Sequence, residues 1–186
     1  MPEKAFIRGE DFVFENTPVR VIVNRNCPEI ELAGLKIGPF QEGKEYEVRF
    51  WIAEELERAG VARLREEEML DAIKLHKIHW KERVQSVKQI SSLPEDFYPR
   101  LRRYLSNLRE DAVKKPEKMK EHERMSGLSR DIVDCRLKKI ISLASTSAQT
   151  EQFLKSMTRE ERAIYELLHE IISDWRNKIL KAEVKP

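Results

Sequence analysis

Residues 45–60 read Glu-Tyr-Glu-Val-Arg-Phe-Trp-Ile-Ala-Glu-Glu-Leu-Glu-Arg-Ala-Gly, and within these sixteen residues the period of the apolar side chains changes. Tyr46, Val48 and Phe50 alternate with Glu45, Glu47 and Arg49, the period of two that turns one face of a strand to a core. From Trp51 the apolar positions follow helical spacing through Ala53 and Leu56, and Gly60 suits the left-handed residue that closes a helix. The chain before this stretch reads as strands and turns, and the chain after it reads as helix. That division predicts an α+β protein with a β-rich domain over residues 1–64 and an all-helical domain over residues 65–186.

Toward the N-terminus, Val19, Val21 and Val23 alternate with Arg20, Ile22 and Asn24 and predict a strand that Asn26-Cys27-Pro28 breaks. Ile30 and Leu32 make a second short strand ended by Gly34. Gly34 and Gly38 flank Leu35-Lys36-Ile37, read as turn punctuation, and Gly38-Pro39 and Glu42-Gly43 mark further turns. Val61 to Leu64 adds a last strand. Residues 1–17 carry no such pattern and form an unassigned extension of the β-rich domain.

Toward the C-terminus, Glu66, Glu67 and Glu68 stand where negative charge favours a helix start, followed by an apolar stripe of Leu70, Ile73, Trp80, Val84 and Val87. Ser91-Ser92-Leu93-Pro94 interrupts. A second helix carries Phe97, Leu101, Tyr104, Leu105 and Leu108. Lys114 to Arg124 is nearly all charged and contains Pro116, so it reads as a solvated connection or a helix end. A third helix carries Ile132, Val133, Leu137, Ile140, Ile141 and Ala144. Ser145 to Thr150 reads as a loop, and the last helix opens with Thr158 and Glu161 in capping-box spacing. Its stripe of Ile164, Leu167, Leu168, Ile171, Ile172, Trp175 and Ile179 is the strongest periodic signal in the chain. With Tyr165, Leu168, Ile172 and Trp175 it is wider than three helices can cover, which predicts a subunit interface.

Charged residues are 37% of the chain, yet 35 basic and 33 acidic side chains leave a net charge of only +2. That balance does not announce a nucleic-acid binder, whose basic residues cluster. Lys74, Lys77, Lys81 and Lys88 recur at helical spacing and are the candidates for DNA contact; Arg100, Arg102 and Arg103 form a second group. Cys27 and Cys135 match no disulfide framework or metal spacing. No signal peptide and no span of about 20 apolar residues is present, and a cytoplasmic, soluble protein is expected. His76 and His79 stand three apart on a helix without a third ligand or a nearby signature, so they read as an exposed or partly packed pair. No phosphate loop, nucleophile elbow or cysteine-nucleophile signature occurs. No enzyme is expected, and no cofactor or metal.

Three stretches carry a resemblance. The run Gly38-Pro39-Phe40-x-x-Gly43-x4-Val48-x-x-Trp51-x-Ala53-x-x-Leu56 resembles the N-terminal module of a GINS complex subunit, of the type with its small β domain before its helical domain. Leu93-Pro94-x-x-Phe97-Tyr98 resembles the start of that family's second helix. Asp131-x-x-Asp134-x-Arg136-x-x-Lys139 resembles the charged pattern of its third. The domain order is that of the second and third eukaryotic partner-of-Sld-five subunits and of the archaeal two-three type; the high charge content favours the archaeal branch.

The resemblance implies a non-catalytic subunit of GINS, an accessory factor of the replicative MCM helicase in DNA replication. The implied partners are the other GINS subunit type in a 2:2 heterotetramer, the MCM helicase and a RecJ-like nuclease, with DNA met indirectly or weakly at the nucleoid. A stand-alone nucleic-acid-binding protein using the Lys74–Lys88 face is the alternative. Read from the residues themselves, Phe40, Val48, Trp51 and Leu56 would close one small core. Asp134 can reach Lys138, and Arg136 beside Val133, Leu137 and Ile140 is either a surface charge or a buried one that needs a carboxylate.

Overall fold

In the computed structural model of the protein, residues 2–65, 69–85, 89–146 and 151–180 are described, with every side chain among them except those of residues 2–8, 151 and 152. The chain divides into two compact units, Met1–Leu70 and Asp71–Pro186.

In the first unit, α1 (Pro2–Glu15) leads into β1 (Pro18–Val23). β1 is the centre of an antiparallel sheet between β4 (Glu45–Arg49) and β5 (Ala62–Leu64), with Val21 opposite both Tyr46 and Leu64. Val19, Val21 and Val23 all face the core, where they meet Phe14, Phe40, Phe50 and Leu56. The alternation of β1 is therefore what seats the sheet. α2 (Phe50–Arg58) closes with Gly60 at φ 66°. The Gly60 N–H donates to Glu57 O at 2.9 Å and the Val61 N–H to Leu56 O at 2.9 Å, the paired bonds of a Schellman ending.

Three details differ from the sequence reading. Residues 2–15 are helical, and Phe14 is buried with its ring 4.5 Å from that of Phe50. Gly9, Glu10 and Asp11 interrupt the apolar spacing of α1, so no stripe shows in the sequence. Leu35–Ile37 is a strand, β3, paired with β2 (Ile30–Leu32) across a two-residue turn at Ala33 (φ 50°) and Gly34 (φ 79°). Two left-handed residues are what such a hairpin needs, and an alanine in the first place hides the signal. Finally, Phe50 opens α2 and is buried, whereas Trp51 and Val48 are only half-buried at the core's rim.

The second unit contains α3 (Ala72–Val84), α4 (Phe97–Lys114), a 3-10 turn at Pro116–Lys118, α5 (Met119–Ala144), the short α6 (Glu151–Lys155) and α7 (Arg159–Leu180). α5 is the central helix, and α3, α4 and α7 all pack on it. It starts well before the apolar stripe that identifies it. The charged stretch expected as a connection or a helix end holds the end of α4 at Lys114 and also supplies the first turns of α5 from Met119, because Lys, Glu and Arg are good helix formers and only Pro116 breaks the run. α3 begins at Ala72, where the Asp71 side chain caps the helix by accepting from the Lys74 N–H at 2.7 Å; Glu66, Glu67 and Glu68, expected at a helix start, lie outside the described residues. Val87 and Lys88 also lie outside the described residues.

Candidate subunit interface

The third-helix pattern and the second-helix start converge on one buried cluster. Arg136 is 0% exposed and stands between carboxylates from two other helices. Its Nε donates to Glu161 Oε1 and its Nη2 to Glu161 Oε2 at 2.6 Å, a two-pronged pair. Its Nη1 donates to Glu82 Oε1 at 2.6 Å and to the Ser91 carbonyl at 2.9 Å. Lys139 donates to the other oxygen of Glu82 at 2.7 Å and to the Glu82 carbonyl at 3.0 Å. The Tyr98 hydroxyl donates to Glu161 at 2.6 Å, and the Ser91 hydroxyl donates to Glu82. Two cations thus face two anions. Buried charge persists only when compensated in this way.

Glu161 does double duty. The Thr158 N–H donates to Glu161 Oε2 at 3.1 Å and the Glu161 N–H to Thr158 Oγ1 at 3.3 Å, the reciprocal capping box that starts α7. The cluster therefore joins the cap of α7, the N-terminal turn of α4, the last turn of α3 and the middle of α5. Burial works to raise the Glu82 titration, but the hydrogen bond from Lys139, with Ser91 and the Arg136 charge, brings it below the ordinary carboxylate range. Burial raises Tyr98 strongly, and the Glu161 carboxylate beside it adds to that. Burial works against the Arg136 charge, yet Glu161 and Glu82 together push its titration further up. The buried alternative for Arg136 holds, and its partners Glu82 and Glu161 are residues the sequence reading did not pair with it. Asp131 lies nearer the surface, 3.7 Å from His79 Nε2, and Asp134 and Lys138 are exposed.

The cluster also sets the roll of α3 about its axis. Glu82 points inward because Lys139 and Arg136 hold it there, with Leu75 beside it on the buried side. The apolar stripe of this helix consequently faces out at Ile73, Trp80 and Val84, which are 67%, 66% and 64% exposed. Burying such side chains is worth roughly 1.5–3 kcal/mol each, and the isolated chain forgoes it. Lys77 and Lys81 lie on the same exposed side, whereas Lys74 is 3.9 Å from Asp71. Of the second basic group, Arg100 pairs with Asp96 at 2.7 Å and Arg102 lies 3.6 Å from Glu160. His76 and His79 are half-buried on α3 against α5, with His76 Nε2 3.4 Å from Arg124.

α5 and α7 meet through Ile140, Leu143 and Ala144 on one side and Tyr165, Leu168 and Ile172 on the other. Tyr165, expected at a subunit interface, is buried in this intramolecular core, and Leu168 and Ile172 are half-buried in it. Trp175 alone of the four expected residues is openly exposed, at 62%. The uncovered part of the stripe is displaced to Ile164, Leu167, Ile171, Trp175 and Ile179. α5 keeps an uncovered stripe of its own, Val133, Leu137 and Ile141, a step round the helix from the buried Arg136, Ile140 and Ala144. Both helices of the packed pair are therefore apolar on two sides, one used within the chain and one open.

Residues 66–180 match the GINS complex protein helical bundle domain, and residues 9–65 match the PSF2 N-terminal domain. The chain is 30% identical over 146 residues to the DNA replication complex GINS protein PSF2 of Homo sapiens, covering 78% of this chain and 75% of that protein. It is 28% identical over 130 residues to the protein of the same name from Xenopus laevis, covering 70% and 66%. The N-terminal match begins within α1, ahead of the stretch that carries the resemblance in the sequence. A β-containing unit followed by a helical bundle, matched in that order over nearly the whole chain, makes this protein a member of the GINS family.

Proposed function

We propose that the chain is a non-catalytic scaffold subunit of a GINS complex acting in DNA replication. It joins the GINS subunit of reversed domain order in a 2:2 heterotetramer, and that assembly holds the MCM helicase and a RecJ-like nuclease together. The observation that carries this reading is the double-sided apolar character of α5 and α7. Val133, Leu137 and Ile141 on α5 and Ile164, Leu167, Ile171 and Trp175 on α7 are exposed, on helices whose other sides already complete a core. Exposed apolar side chains gathered in this way mark an interaction site or drive aggregation. DNA is met indirectly, through the assembly.

A partner that binds only the folded state stabilises it by mass action, about 2.7 kcal/mol when present at a hundredfold over its dissociation constant. The test is to purify the chain alone and co-expressed with the other subunit type, then to compare melting temperature and mass. A higher melting temperature and a heterotetrameric mass on co-expression are expected. A monomer that melts no lower than the co-expressed sample and elutes apart from the other subunit would refute the assembly reading.

A further inference from the structure

We infer that α3 presents a second docking face, separate from the α5 and α7 stripes, whose occupant is an acidic amphipathic helix of another protein. Ile73, Trp80 and Val84 lie on one side of α3 and are among the most exposed large apolar side chains of the chain. They follow one another at intervals of seven and four residues, a line about 16 Å long, which is three helical turns. Such spacing suits a second helix laid alongside.

Charge states what that helix carries. Lys77, Lys81 and Arg83 are exposed on α3 around the apolar line. The one acidic residue between Ala72 and Val84 is Glu82, which is turned inward and held by Arg136 and Lys139. Among the described residues of α3 itself, the outward side is therefore apolar along its centre and basic at its edges, in a chain whose charges are otherwise nearly balanced. Complementary charge at such a rim selects the partner and speeds encounter. Single-stranded nucleic acid fits less well, because stacking needs π-faces and Ile73 and Val84, on either side of Trp80, have none. The outward set of the apolar line is also imposed from within, since the buried cluster that pins Glu82 leaves α3 no freedom to turn Trp80 under.

The experiment uses the full chain and two synthetic helical peptides of about eighteen residues, five turns long. Both carry leucines along one side; one has glutamates at the flanks and the other lysines. Titration calorimetry with wild-type protein should show binding of the glutamate peptide only. Lys77→Glu with Lys81→Glu should weaken that peptide about tenfold or more and admit the lysine peptide, since rim charges of one sign reject their like. Trp80→Ser should abolish binding of either. Circular dichroism identical to wild type will show that the variants fold, as substitutions at exposed positions should. Equal binding of both peptides, binding of neither, or a thymidine oligonucleotide that binds more tightly than the glutamate peptide and is lost in the double variant would each overturn the proposal. The mass of the complex with the other GINS subunit should be unchanged in these variants, which separates this face from the α5 and α7 surface.

Discussion

Arg136 donates four hydrogen bonds of 2.9 Å or less, to Glu161, Glu82 and the Ser91 carbonyl, and the Lys139–Glu82 bond at 2.7 Å completes the charge balance. Removing the cation leaves two carboxylates buried against one ammonium, and breaking a buried pair in this way costs about 3–5 kcal/mol. Arg136→Ala should lose that much in urea unfolding, and Arg136→Met somewhat less because it keeps side-chain volume; two variants as stable as wild type would contradict the cluster's role. The titrations give two further tests with opposite signs. Glu82 is lowered in the folded state, so its contribution is complete above the ordinary value of 4.5 and is lost as pH falls through the lowered one. The stability gap between wild type and Glu82→Gln should therefore be widest at neutral pH and narrow below about 4.5. Tyr98 is raised, so its contribution is complete below the ordinary value of 10.0 and is lost as pH rises beyond it. Wild type should therefore lose stability at alkaline pH, and Tyr98→Phe should remove part of that loss in urea unfolding.

At the scale of elements, α3 is the clearest test, because its sequence and its packing point in opposite directions. Leu75 is fully buried and Trp80 is not. Leu75→Ala should cost about 2–5 kcal/mol, while Trp80→Ala should change the stability of the isolated chain by no more than about 0.5 kcal/mol; the reverse order would show that α3 is rolled the other way. This also explains how much was legible. Where a residue's role is local, sequence shows it: the valines of β1, Gly60 after α2, and the Thr158–Glu161 capping box all stand as their patterns indicate. Arg136 was legible as a problem needing a carboxylate, but Glu82 and Glu161 come from 54 and 25 residues away, and spacing along one helix carries no such information. Periodicity shows that a helix has an apolar side and is silent on which protein covers it. The stripe of α3 therefore does not show in sequence which way it faces, and Tyr165 shares the period of the open stripe of α7 while lying buried beside it. α1 and β3 carry weak signals in sequence, because Gly9 and Ala33 stand where the usual ones would be.

For the whole molecule, the two units follow different logics. The first gathers its valines, Phe14, Phe40 and Phe50 on a single core. The second adds a buried charge cluster to its apolar core and leaves apolar stripes exposed on α3, α5 and α7, which suits a bundle that packs against other chains. The measurement that bears most directly on this is the mass, by light scattering, of the complex with the other GINS subunit, made with wild type and with the pair Ile171→Glu and Trp175→Glu. Both positions are exposed in the chain, so the variant should keep its helical circular dichroism. The account predicts a heterotetramer with wild type and, with the variant, a folded chain that elutes alone. A variant that assembles into a complex of the same mass and the same melting temperature would contradict it.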